Sequence, residues 1–298
     1  MVPRGGGCVL MATYPGLRLH LFSDLDGTLA DSAQAMSEFL WREWALELLP
    51  SEHAEYSFVR NIGRRLRETG HCGQLEPFDF ADEIGADVWE RLFCNGDEYL
   101  RMLPVWDMWS AVHGLAFIST WFVTARPAGI RGSCISASRQ WLDRWGLLRP
   151  DSFLVFSREI GREKADVLQQ LLYDIKNARD VLSRFRARGE TDTVLVLEDK
   201  PEELLSLVKE AGDYLKNNTV DEGIRIVVMC VPQPWNSGLL DGEVWAAAGH
   251  RVFGDTAYLE HVREYYPQVK LARPPSLPAI GATVRCLLAE LISERKSK

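Results

Sequence analysis

The sequence predicts an α/β fold, a parallel sheet with helices on both faces and a helical segment inserted after its first strand. Three observations lead there. Five short apolar runs alternate with stretches of helical periodicity. The first two runs stand roughly eighty residues apart, where a crossover needs only a dozen or so. The first four runs lead into polar or charged groups. A sheet of this kind is Rossmann-like and takes ligands at the carboxyl ends of its strands.

Leu17–Ser23 reads as the first strand, a mostly apolar run stopped by Asp24. Residues 32–49 read as a helix, because Met36, Phe39, Leu40 and Trp44 recur at three- and four-residue steps and Pro50 stands beyond them. Between 51 and 103 no strand is visible, only helical fragments such as 86–93 and loops that carry glycine. Strand character returns at 115–123, 153–156, 193–197 and 224–231. Helices at 133–145, 164–175 and 202–211 lie between, with Gly146 and Gly212 as stop signals. The tail reads as a strand and helix within 250–265, a proline-rich linker, and a last helix near 279–293. The expected organisation is a disordered lead-in over 1–16, an α/β core over 17–32 and 104–266, a helical cap over 33–103, and a linker with a C-terminal helix over 267–298.

The 298 residues are 46% hydrophobic and 26% charged, which excludes a disordered or fibrous chain. Lys plus Arg number 34 against 42 Asp plus Glu, so the net charge is −8 and a stable nucleic-acid complex is not expected. No apolar run reaches the roughly 18 residues of a membrane helix. The lead-in has no continuous apolar stretch, and the six cysteines are scattered without a CxxC pair. Reduced thiols and a cytoplasmic chain are the expectation. Composition leaves the oligomeric state open.

The chemistry is expected at the strand ends. Asp24-Leu25-Asp26-Gly27-Thr28 follows the first strand and Thr124-Ala125-Arg126-Pro127 the second. Lys164 opens a helix past the third, and the fourth runs into Glu198-Asp199-Lys200-Pro201-Glu202. Four carboxylates and a lysine converging on one crevice point to a phosphate and a hard divalent cation such as Mg²⁺, which prefers oxygen ligands. Without the ion, Asp24, Asp26, Glu198 and Asp199 repel one another and some of their pKa values rise.

Each signal has a plainer reading. Asp and Gly form turns, Thr124 suits a strand, and Lys164 could be a solvated helix residue with Lys176 as rival. Glu198-Asp199 also fits a helix start, because Glu202 follows as in a capping box. Trp41, Trp44, Trp89, Trp106 and Trp109 read as core before they read as a base-stacking platform. Arg60, Arg64, Arg65 and Arg67 are either a solvated helix face or a grip on an anionic substrate.

Taken in order, DLDGT after an apolar strand, a strand ending in Thr, a helix-opening Lys and an acidic pair resemble the haloacid dehalogenase (HAD) superfamily over residues 17–231, the insert excepted. The resemblance implies a Mg²⁺-dependent phosphatase acting through an aspartyl-phosphate. It implies Asp24 as nucleophile, Asp26 as acid and base, Thr124 and Lys164 on the phosphoryl oxygens, and Glu198 and Asp199 beside Asp24 and Asp26 at the metal. Asp26 favours a phosphatase, since dehalogenases of the superfamily lack that acid. Glu198 departs from the usual Asp or Gly, so either it or Asp199 is the direct ligand. Leu197–Glu202 and Gln233-Pro234-Trp235-Asn236 further resemble the 5′(3′)-deoxyribonucleotidases, although the spacer from Lys164 to Glu198 is long and the tail is extra. The implied partner is a small phosphorylated substrate: a nucleotide first, with Arg126, Arg64, Arg65 and Arg67 as its candidate contacts. A sugar- or glycolate-type phosphate is the alternative, and a catalytically silent binding protein of the same fold is a second.

Overall fold

The structure, a computed structural model, describes residues 14, 16–54, 57–70, 77–129, 132–182, 190–217, 223–236, 269–272 and 276–296. Among these residues six strands form one parallel sheet: β1 (Leu17–Ser23), β2 (Phe117–Thr124), β3 (Ser152–Phe156), β4 (Thr191–Glu198), β5 (Ile224–Cys230) and β6 (Val269–Ala272). Their order is β3-β2-β1-β4-β5-β6, so the chain reverses its direction of travel between β1 and β4. Ser23 pairs with Phe122 of β2 and Leu197 of β4. The residues following β1 and β4 therefore emerge side by side at the switch point.

Period-two alternation divides the core between two faces. On β4, Val194 and Val196 pack with Phe22, Val123 and Val228, while Leu195 and Leu197 join Leu21 and Met229 on the other side. The first face is covered by α7 (Lys164–Leu182) and α8 (Pro201–Asn217). The second is covered by α5 (Trp106–His113), α6 (Ser133–Arg144) and α9 (Ile280–Lys296). Each fully buried aliphatic side chain in these layers contributes about 1.5–3 kcal/mol. No helix among the described residues is long and apolar enough to cross a membrane.

Between β1 and β2 the chain builds α1 (Ser32–Trp44), a 3₁₀ turn at Pro50–Glu52, α2 (Phe58–Thr69), α3 (Pro77–Val88), a π turn at Trp89–Phe93 and α4 (Gly96–Arg101). The two ends of this insert are clasped together. Asp31 N–H donates to the Leu103 carbonyl at 2.9 Å, and Val105 N–H to that of Leu29 at 2.8 Å. Leu40, Ile62, Ile84 and Leu92 belong to the same apolar cluster as Leu21 and Trp141, so the insert shares its core with one face of the sheet.

Several boundaries differ from the sequence expectation. α1 stops at Trp44, not at residue 49, because Ala45 takes a left-handed conformation (φ 48°) and closes the helix onto Leu40 and Trp41. Leu46 and Leu48 beyond it are buried, which prolongs the apolar pattern past the real end. Gly212 is no stop, since α8 runs on to Asn217. Val269–Ala272 lies in the expected linker but pairs parallel to β5, four strand residues hidden among prolines. The strand and helix expected within 250–265 lie outside the described residues, as does nearly all of the lead-in.

Candidate active site

The turn after β1 and the end of β4 are tied together atom by atom. Asp24 N–H continues the ladder to the Leu197 carbonyl at 3.0 Å. Gly27 adopts φ +74°, and a Cβ there would stand 2.5 Å from Asp199 Oδ2, so only glycine fits. Thr28 Oγ1 donates to Asp199 Oδ1 at 2.9 Å, and Trp235 Nε1 donates to Oδ2 at 3.1 Å. Asn236 Nδ2 bridges the carbonyls of Asp199 and Val231 at 2.8 and 2.7 Å, and Gln233 Nε2 donates to the Gly27 carbonyl. Thr28, Gln233, Trp235 and Asn236 thus set the acidic loop against the first turn. In the sequence, the only hint of this was the resemblance of residues 233–236 to one subfamily.

Lys164 opens α7 and is 4% exposed. Its Nζ lies 2.8 Å from Asp24 Oδ2 and 2.7 Å from Glu198 Oε2, and Glu198 Oε1 accepts the Lys200 N–H at 3.0 Å. Lys176 lies farther along α7 and is not among the residues lining the cavity described below. Burial alone would lower the pKa of Lys164, but Asp24 and Glu198 outweigh it and hold the ammonium well above its usual value. Burial pushes Asp24 up to about 7, against Lys164 and with Glu198 and Asp26 adding repulsion. Asp199 is likewise pushed well above the carboxylate range by burial, then by Glu198 and Asp24.

Asp24, Glu198 and Asp199 are all buried, and one oxygen of each lies within 4.8 Å of the others. This all-oxygen donor set, with more carboxylate than cation around it, fits a hard divalent ion. Asp24 and Asp199 line the cavity described below and Glu198 does not, so Asp24 and Asp199 are the better placed direct ligands. The Asp26 carboxylate is not in the cluster. It is gripped by Arg126, whose Nε and Nη2 donate to its two oxygens at 2.5 Å each. Thr124 ends β2, is buried, and accepts the Arg126 backbone N–H at 3.2 Å, which leaves its hydroxyl proton available.

Above these groups is a cavity of about 390 Å³. Asp24, Asp26, Thr124, Arg126, Lys164 and Asp199 line it from the sheet side, and His53, Phe58, Trp89 and Phe93 line it from the insert. Arg64, Arg65 and Arg67 do not line it. Arg64 donates to the Glu52 carbonyl, Arg65 donates to that of Glu47 at 2.6 Å and pairs with Glu68 at 3.5 Å, and Arg67 is exposed. Arg64 and Arg65 are held within the insert. Of the five tryptophans noted in the sequence, Trp89 lines the cavity, and Trp109 donates to the Trp145 carbonyl at 2.8 Å in the packing beneath.

His53 is 1% exposed, with Nε2 3.1 Å from Ser37 Oγ and Nδ1 unpartnered. Burial lowers its pKa from 6.5 to about 4, with Glu52 opposing the shift and Arg64 adding to it. The folded imidazole therefore stays neutral where the unfolded one is protonated. The stability this contributes is complete above pH 6.5 and is lost as pH falls toward about 4. That loss amounts to about 3 kcal/mol. Denaturant melts of the wild type should weaken over this window, and those of His53→Gln should be flatter; parallel curves would contradict it.

A scan against protein-family models finds no match, and no curated protein matches the chain. Among solved structures, it is similar to a haloacid dehalogenase-like hydrolase from Burkholderia xenovorans at 12% identity and TM-score 0.37, over 89% of this chain and 95% of that one. It is also similar to the L-2-haloacid dehalogenase of Xanthobacter autotrophicus, at 14% identity and TM-score 0.35, over 90% and 98%. The same enzyme with chloropropionic acid covalently bound gives 14% and 0.34, over 90% and 98%. What the site does is decided by its own residues.

Proposed function

We propose that the chain is a hydrolase of phosphoric monoesters that works through an aspartyl-phosphate on Asp24. The observation that carries this reading is Lys164, buried between Asp24 and Glu198 at 2.8 and 2.7 Å, with Asp26 two residues from Asp24. Lys164 holds Oδ2 of Asp24 and leaves Oδ1 to attack phosphorus. As that bond forms, the bond from phosphorus to the leaving oxygen breaks, and Asp26 delivers the proton that makes it an alcohol. Asp26 then takes a proton from water as the water attacks phosphorus, which frees the Asp24 carboxylate. Thr124 and Lys164 offer hydrogen bonds to the phosphoryl oxygens throughout. Mg²⁺ at Asp24 and Asp199, with Glu198 behind them, would supply further positive charge against those oxygens.

The substrate we propose is a nucleotide. Phe58, Trp89 and Phe93 give the insert side of the cavity an aromatic lining suited to a flat base, and no arginine of α2 reaches it. A small sugar or glycolate phosphate would call for cations in place of rings on the insert side, whereas here Arg126, Arg158, Lys164 and Lys200 line the cavity outside the insert. The test is phosphate release from a panel of nucleoside monophosphates and sugar phosphates. Nucleotides should be preferred, excess EDTA should abolish release, Mg²⁺ should restore it and Ca²⁺ should do so poorly. Full activity in EDTA, or halide release from 2-chloropropionate with no phosphate release, would overturn the reading.

A further inference from the structure

Arg126 is the most heavily engaged cation of the site, and none of the steps above uses it. It leaves the loop after β2 and is 3% exposed. Its Nε and Nη2 engage both oxygens of Asp26 at 2.5 Å, a two-point grip that fixes a carboxylate in plane as well as in distance. The other faces of the guanidinium rest on the insert. Its Cζ lies 3.8 Å from the ring centre of Tyr99, which is fully buried in α4, and 5.3 Å from that of Phe93. Nη2 also lies 3.6 Å from Met102 Sδ, and Nη1 is buried without a hydrogen-bond partner. An arginine of the sheet domain thus sits on side chains of the insert while it grips an acid of the β1 turn.

We propose that Arg126 is a positioning residue for Asp26, and that Tyr99 ties the orientation of that acid to the seating of the insert. The inference rests on the phosphatase reading. A carboxylate side chain without partners can rotate freely about its own bonds, and proton delivery requires it to face the leaving oxygen. Arg126 removes that freedom: in the acid form one Asp26 oxygen carries the proton toward the leaving oxygen while the other keeps its hydrogen bond from Arg126, and the stacked Tyr99 ring determines where Arg126 itself can be. Any change in how the insert seats on the sheet would therefore move the acid with it.

The consequence is a dependence on the leaving group. A nitrophenolate departs without a proton, whereas an alkoxide needs one. Arg126→Met should lower kcat/KM, which reports the first phosphoryl transfer, by about 100-fold for a nucleoside 5′-monophosphate and by less than about tenfold for para-nitrophenyl phosphate. On an Asp26→Asn background the same substitution should add no further selective loss. Tyr99→Leu, which leaves both charged groups in place, should give the same skewed pattern more weakly and decides the matter if Arg126→Met does not fold. Equal losses on both substrates in these variants, or a further selective loss on the Asp26→Asn background, would make Arg126 merely structural and overturn the proposal. Absence of phosphate release from either ester by the wild type would instead overturn the phosphatase reading beneath it.

Discussion

Asp24→Asn is expected to lower phosphate release by about 10⁴-fold or more while the protein stays folded. The substitution removes the attacking oxygen but keeps shape and volume. The fold should not suffer, because Glu198 stays as the buried counter-charge to Lys164, burial already pushes Asp24 up to about 7, and an amide relieves the repulsion from Glu198 and Asp26. Its thermal midpoint in EDTA should equal or exceed that of the wild type. A variant that kept near-wild-type turnover in a clean preparation would remove the nucleophile from the scheme.

Lys164→Met is expected to damage both activity and stability. The ammonium is the counter-charge shared by Asp24 and Glu198, both buried. Removing it leaves two carboxylates uncompensated, a loss of about 3–5 kcal/mol for a broken buried pair. Turnover should fall by about 10³-fold as the charge facing the phosphoryl oxygens disappears. Denaturant melts and initial rates on the same preparation check both effects. A stable, active Lys164→Met protein would reduce Lys164 to an ordinary helix-opening residue.

Much of the site is legible in the sequence because a parallel sheet delivers it in a fixed way. Asp24, Thr124, Glu198 and Asp199 each stand at or just past the carboxyl end of an apolar strand, and Lys164 opens a helix. Those positions can be read before any tertiary contact is known. Partners distant in sequence are a different matter. Arg126 lies in the same loop as Thr124, and nothing local shows that it grips Asp26, 100 residues away. The grip of Trp235 and Asn236 on Asp199 spans 36 and 37 residues and is signalled only by the resemblance of residues 233–236 to one subfamily. The arginines of α2 illustrate the converse. Their spacing suggests a charged face, but Glu47, Glu52 and Glu68 are what Arg65 meets. In the fold, the alternation of strand and helix is plain, whereas β6 is four residues between prolines and becomes a strand only because the edge of β5 accepts it.

Turnover by this route passes a covalent phosphoryl group through Asp24. The direct measurement is an acid quench of the enzyme during turnover of para-nitrophenyl phosphate with Mg²⁺, followed by mass analysis of the peptides. The peptide bearing Asp24 should gain the mass of one phosphoryl group, and the adduct should be absent from Asp24→Asn and accumulate in Asp26→Asn. Phosphate release at full rate with no adduct on Asp24 in any of the three proteins would contradict it.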